Sequence, residues 1–382
     1  MHPLSSSTSS SNGPRRSIRG ALLRSACWTL LALAIIDAAV GWCFRVPADP
    51  RAKAGALEQY FEYGRSIEGK LQRGIGKDDA STDLVALAGW ITPDAWNDQP
   101  NTPEQPGGTL VSIYGMSFTI HAAYGLKAID PQYTLRYYGG PAAPANHSYA
   151  AYLFDRPRTK APVVMLGILA SSVRAIGTLT GQTWAFESPY AYTYPKFTLR
   201  PDGSLEETRP VIASVSELRE ALARPEQWTR YVGQLRAHDS YYNEFLFRSS
   251  PLDHSTVARL LRRGWSQHHN RAVSSRIHDA NGFNLDCEEI KVLRAIVTQF
   301  AQTARADGRL PILLLVNDQG YGDHLFRALE PVLKQTSVPY VSTHSIAPAD
   351  DLGNFVADGH FTSAANKRIA KELDQVIKRE LK

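Results

Sequence analysis

The chain has 382 residues, 43% of them hydrophobic and 21% charged, enough for one large domain or two small ones with a sizeable core, which excludes a peptide, a fibrous repeat and a disordered chain. It carries 42 basic and 37 acidic side chains; taking away Arg15, Arg16, Arg19, Arg24 and Asp37, which flank or lie in one N-terminal apolar stretch, leaves 38 against 36, so the body lacks the single-sign field of a nucleic-acid binder. Of three cysteines, Cys27 and Cys43 fall in the apolar stretch and Cys287 stands alone, which leaves no disulfide framework or cysteine metal site within one chain.

Residues 1–20 form a serine-rich tail ending in arginines, too polar to bury a core and expected to be disordered. From Ser25 to Phe44 the only charge is Asp37, and a run of about 20 apolar residues suffices for a helix to cross a bilayer. Trp28 and Trp42 stand near its two ends, where amphipathic rings prefer the interface. With arginines before the span, the positive-inside rule puts the tail in the cytoplasm and the chain after Arg45 across the membrane. The expectation is a single-pass anchor over 21–45 in a bacterial inner membrane, with the body periplasmic. A cleaved signal peptide shares the pattern, although Ala39-Val40-Gly41 is a mediocre cleavage site. Asp37 marks either a partner helix in the membrane or an acid that reaches the interface.

Residues 46–108 read as a stalk or packing extension: an amphipathic helix over Ala52–Leu71, then a Pro-, Asn-, Asp- and Gly-rich stretch over Thr92–Gly108. Short apolar runs follow at Thr109–Tyr114, Tyr133–Tyr138, Val163–Leu169, Ile312–Val316 and Tyr340–Thr343. Helical patterns alternate with them at Ile120–Ala128, Ser148–Asp155, Glu288–Ala306, His324–Lys334 and Ser363–Leu381. This alternation predicts an α/β fold, a parallel sheet of about five strands covered on both faces as an α/β/α sandwich. Ligands of such folds bind beyond the carboxyl ends of the strands, here just after Tyr114, Tyr138, Leu169, Val316 and Thr343. Residues 177–284 interrupt the rhythm as a helical insertion between the third and fourth strands, with a hairpin turn at Pro201-Asp202-Gly203.

Two features carry chemistry. The stretch Ile113-Tyr-Gly-Met-Ser117 breaks a strand and restarts as a helix, which puts Ser117 at the sheet edge and at a helix N-terminus that favours developing negative charge. Serine is also an ordinary helix cap. Near the end, Asp358-Gly359-His360 precedes the last helix; an acid two residues from a histidine can orient the imidazole to take a serine proton. Asp-Gly is equally ordinary turn chemistry.

These blocks resemble the SGNH (GDSL-like) hydrolases and esterases over roughly Leu110 to Leu381, apart from the insertion. Gly115-Met116-Ser117 is similar to the Gly-Asp-Ser block of that family, with Met116 in place of the aspartate, and Asp358-Gly359-His360 looks like its last block. The resemblance implies a flavodoxin-like sandwich with Ser117 as nucleophile, His360 as general base and then acid, and Asp358 as its orienter. It also implies an oxyanion hole from the Ser117 N–H, a glycine N–H and an asparagine amide. Gly139 or Gly140 can supply the second donor, Gly140 being preferred. The third block reads Gly167-Ile168-Leu169-Ala170 without the usual asparagine, so Asn146 is the candidate replacement and Asn317 the reserve, each equally an ordinary turn asparagine.

The aromatics from Trp184 to Phe197 offer a sugar-stacking platform, with Trp184 and Tyr192 as substrate contacts, or else a satellite core. His268, His269 and His278 with Asp279 lie in a polar stretch where solvated side chains are the norm, so no metal or other cofactor is expected. His121, one turn from Ser117, either lines the pocket or is a structural histidine. The expected activity is hydrolysis of O-acyl esters, acetyl above all, on envelope or exported carbohydrate. A sugar O-acyltransferase with the same residues and a catalytically silent envelope scaffold with protein partners are the alternatives.

Overall fold

The computed structural model describes residues 18–49, 52–75, 81–82 and 84–382; the disorder expected of the tail concerns residues that, before Ile18, lie outside these. Helix α1 (Ile18–Cys43) runs through the apolar stretch and is long and apolar enough to cross a membrane. The single helix expected over 52–71 is instead two, α2 (Ala56–Glu62) and α3 (Ile67–Gly74). The break falls at Ser66, whose hydroxyl accepts the Gly69 N–H at 3.0 Å and donates to Asp253 at 2.6 Å. A capping residue tied to a distant segment starts a new helix there.

The body is an α/β sandwich. Strands β1 (Thr109–Gly115), β2 (Tyr133–Gly139) and β3 (Val163–Leu169) alternate with helices α4 (Ser117–Ile129) and α5 (Ala145–Asp155). The insertion follows, with the short helix α6 (Gly181–Trp184), the hairpin β4–β5 (Lys196–Leu199, Leu205–Thr208) around the expected turn, and helices α7 (Val215–Ala223), α8 (Pro225–His238), α9 (Glu244–Phe247) and α10 (Thr256–Ser274). A two-residue ladder, β6–β7 (His278–Asp279, Gly282–Phe283), leads into α11 (Glu288–Ala306), β8 (Leu310–Val316), α12 (His324–Thr336), β9 (Tyr340–Ser342) and α13 (Ser363–Glu380).

The main sheet runs β2-β1-β3-β8-β9, all parallel, the flavodoxin-like order. Its strands are apolar runs because helices bury both faces. Val111, Ile113, Met165 and Leu314 pack under α4 and α13; Tyr114, Leu166, Ile168 and Leu315 pack under α5, α11 and α12. The order reverses between β1 and β3, so the crevice at their carboxyl ends is the natural ligand position.

A second core joins the extension to the insertion. Ile67, Leu71 and Val85 pack with Tyr192, Trp228 and Phe247, and the Ala191 N–H donates to the Ala86 carbonyl at 2.9 Å. The two segments that depart from the sheet rhythm therefore bury one another's apolar faces. Asp37, the one acid of α1, is tied to the body as well: it accepts hydrogen bonds from the Thr256 hydroxyl and, at 2.8 Å, from the Val257 N–H in the first turn of α10.

Candidate active site

Ser117 and His360, 243 positions apart, meet at the switch point, with Ser117 Oγ 2.6 Å from His360 Nε2. β1 ends at Gly115, and Ser117 opens α4 after the extended Met116. The first N–H groups of a helix have no intrahelical partner and favour negative charge, and Ser117 stands at such a helix start. The close seating of α4 depends on Gly167 in β3, where an added Cβ would lie 2.0 Å from Thr119 Oγ1. Thr119 also donates to the fully buried Met116 sulfur at 3.2 Å, so the residue standing in place of an aspartate is part of the core.

His360 projects from a tight turn. The Gly359 N–H donates to the Val356 carbonyl at 2.9 Å, the Val356 N–H to the His360 carbonyl at 2.8 Å, and Gly359 holds φ +87°, a left-handed conformation costly to residues with a Cβ. Phe118 stacks on the imidazole with ring centres 4.7 Å apart, and Phe361 closes on Phe118 edge-on at 5.3 Å. Asp358 Oδ1 stands 3.1 Å from His360 Nδ1, yet the ring N–H points off that line and makes no hydrogen bond. We take the pair as an electrostatic contact, because the same oxygen accepts the His360 backbone N–H at 3.0 Å. That backbone bond, and then the ring, hold the Asp358 carboxyl below its usual range. With 70% of its side chain exposed, Asp358 meets the ring from the solvent side.

His121 is exposed on the next turn of α4, its ring centre 5.2 Å from that of His360. It borders the site rather than serving the core. Burial, and secondly the neighbouring His360, keep its pKa below the usual value.

Gly140 stands one residue past Gly139, which pairs with Gly115 across β1 and β2, so its loop runs beside Ser117. That loop rests on Tyr192 and His147: an added Cβ at Gly140 would lie 3.2 Å from Tyr192 Cζ and 3.3 Å from His147 Nε2. Asn146 does not fit the role of third donor. It is fully buried, and its amide donates to the Thr178 and Pro195 carbonyls at 3.3 and 3.2 Å, leaving no hydrogen for an oxyanion. Asn317 faces β9, its N–H donating to Thr343 Oγ1 at 2.8 Å and its amide lying 3.4 Å from Ser342 Oγ.

Of the expected sugar platform, Tyr192 is not available to a substrate. Tyr192 is fully buried, its hydroxyl donating to the Pro141 carbonyl at 2.8 Å; Trp184 is half-buried, its indole N–H on the Tyr194 hydroxyl at 3.1 Å. Tyr192 belongs to the satellite core with Leu71, Val85 and the insertion helices. The remaining histidines have separate partners: His269 lies 3.1 Å from the Tyr241 carbonyl and His278 2.8 Å from His324 Nδ1. Among the described residues no group of three or more His, Cys, Asp or Glu is arranged to hold a metal.

Sequence reasoning missed Phe118 and Thr119. The first is an apolar residue of a helix start, the second a threonine like any other, and only the packing of the His360 turn on α4 and of α4 on β3 makes them the backing of the imidazole and the seat of the serine. The largest cavities described, about 880 Å³ at the foot of α1 and about 800 Å³ between α12 and α13, are not lined by Ser117 or His360. Neither a protein-family model nor a curated protein sequence matches the chain.

Proposed function

We propose that the protein is a membrane-anchored serine hydrolase of the SGNH type that removes O-acyl groups, acetyl above all, from envelope or exported carbohydrate on the outer side of the membrane. One observation carries this reading: the 2.6 Å contact between Ser117 Oγ and His360 Nε2 at the carboxyl edge of a flavodoxin-ordered sheet. In the reaction His360 Nε2 takes the Ser117 proton as Oγ attacks the acyl carbon, and the oxyanion gathers on the Ser117 N–H and the Gly140 loop. The imidazolium then gives its proton to the departing sugar oxygen, leaving an acyl-serine. Water, deprotonated by the same imidazole, releases the acid and frees Ser117. The positive-inside bias of the arginines at the N-terminal end of the apolar span supports an outward-facing body.

The test is fluorophosphonate labelling of the full-length chain in mild detergent. Wild type is expected to label, Ser117→Ala not at all, and His360→Ala at least about 100-fold more slowly, the usual contribution of a general base. Folded wild type that does not label, or Ser117→Ala that labels equally, refutes the reading and favours a silent scaffold. An added sugar that accelerates acyl release from a simple ester would make the acceptor an alcohol and the enzyme a transferase.

A further inference from the structure

At the foot of α1 the structure holds a cavity of about 880 Å³, lined by Gly41 and Arg45 at the end of the apolar helix and by Arg65, Arg73, Arg259 and His254 of the body. We infer that this cavity binds the phosphate headgroup of an anionic phospholipid. The inference rests on α1 crossing the membrane and on nothing in the catalytic reading.

Charge points to an anion. The buried Glu62 carboxylate is shared by three guanidinium groups, with Arg65 in contact, Arg259 Nη1 at 3.2 Å and Arg73 Nε at 3.8 Å. Asp253, the carboxylate of the lining itself, is taken up by Arg262 and by the Ser66 hydroxyl and N–H. Arg45, exposed at the mouth, adds further positive charge. The cavity therefore has more guanidinium than carboxylate, and Arg73 holds only the longest contact to Glu62 and a carbonyl of Pro47 at 3.5 Å. The crowding is visible in Arg259, pushed down to about 10 by burial and then by neighbouring Arg65.

Position points to a lipid as the source of that anion. Gly41 precedes Trp42, which is 80% exposed and suited to the bilayer interface. Asp37, which holds the first turn of α10, stands about 7 Å below Trp42 at 1.5 Å per residue, so α10 begins at headgroup depth. From there α10 carries Val257, Leu261 and Trp265 at four-residue spacing, all exposed. An exposed apolar helical stripe beside arginines has the character of an interfacial helix. Its first turn packs against α1, which in a bilayer would bring lipid towards the mouth of the cavity.

The full-length protein in a neutral detergent, titrated with short-chain phosphatidylglycerol while its thermal unfolding is followed, tests the site. Wild type is expected to be stabilised by phosphatidylglycerol, and not by matched phosphatidylcholine or inorganic phosphate at the same concentrations. At roughly 1 kcal/mol for each arginine near a lipid phosphate, Arg45→Gln weakens the titration about 5-fold and the Arg45→Gln/Arg73→Gln pair about 30-fold. Arg45→Gln, at an exposed residue of the cavity mouth, keeps the test valid if the double variant folds poorly. Equal response to both lipids, a response to inorganic phosphate, or an unchanged Arg45→Gln titration overturns the proposal. Alkaline carbonate extraction of native membranes reads the anchor separately, and release of the chain there would refute the spanning helix rather than the pocket.

Discussion

His147 makes the fold acid-sensitive by an amount that the structure allows to be worked out. The residue lies in the first turn of α5, fully buried, with Nε2 2.8 Å from the Gly89 carbonyl and Nδ1 without a partner. Rings of Tyr138, Tyr192 and Tyr194 surround it at 6.2, 5.3 and 5.6 Å. A carbonyl only accepts, so the neutral ring carries its proton on Nε2, and a second proton on Nδ1 would be a buried, unpartnered charge. Burial accordingly pushes its pKa from 6.5 down to about 4, with the Gly89 bond opposing. Between these values the unfolded chain binds a proton that the folded chain refuses, so stability falls as pH falls through the window and is constant again below about 4. The full difference is about 3 kcal/mol at 1.36 kcal/mol per pH unit, and about 2 kcal/mol is lost by pH 5.

Asp239 works in the opposite sense. Its fully buried carboxyl is raised to about 6 by burial, against hydrogen bonds from the Leu179 N–H, the Thr183 hydroxyl and the Tyr241 N–H, so the folded state gains stability as pH falls from 6 to 3.8. The informative quantity is therefore the difference between wild type and His147→Gln, a variant that retains an amide donor for Gly89. Urea midpoints of the detergent-solubilised chain at pH 7.5 and pH 5 supply it. The variant should lose about 2 kcal/mol less than wild type between the two; parallel profiles would refute the assignment of a buried neutral imidazole.

Two further expectations concern the frame of the site. Arg136 and Asp155, both buried, form a bidentate pair between β2 and α5 that also receives the Tyr114 hydroxyl at 2.9 Å. Asp155→Asn strands a buried guanidinium and should cost about 3–5 kcal/mol, whereas Tyr114→Phe should cost about 1 kcal/mol; equal losses in urea unfolding would contradict the ranking. Gly167→Ala forces a Cβ against Thr119 and should cost about 1–3 kcal/mol by overpacking while slowing fluorophosphonate labelling at Ser117, with partial recovery in Thr119→Ala/Gly167→Ala. Wild-type labelling in the single variant would show that α4 is not seated through this contact.

The strands of the main sheet were legible because parallel strands buried on both faces are continuous apolar runs, and the helices between them because their period is local. The same local signals place Ser117 at the end of β1 and His360 before α13, and in the observed strand order the pair meets. Boundaries set by distant partners were not legible: Ser66 divides 52–71 into two helices because Asp253 holds its hydroxyl. Asp37 reads in sequence as an isolated acid in an apolar span, and only the fold reveals the α10 turn that it holds.

Burial of polar and aromatic residues was the other limit. Tyr192 and Asn146 have the composition of site residues, and packing of the extension on the insertion puts both inside. An aromatic ring or an amide has the same local pattern whether it faces solvent or a core, so its exposure follows from which segments come to cover it. Local chemistry thus determined the elements and the serine–histidine pair of this protein, while tertiary contacts alone decided what surrounds that pair and what lies sealed beneath it, because such contacts join residues whose sequence neighbourhoods carry no mark of one another.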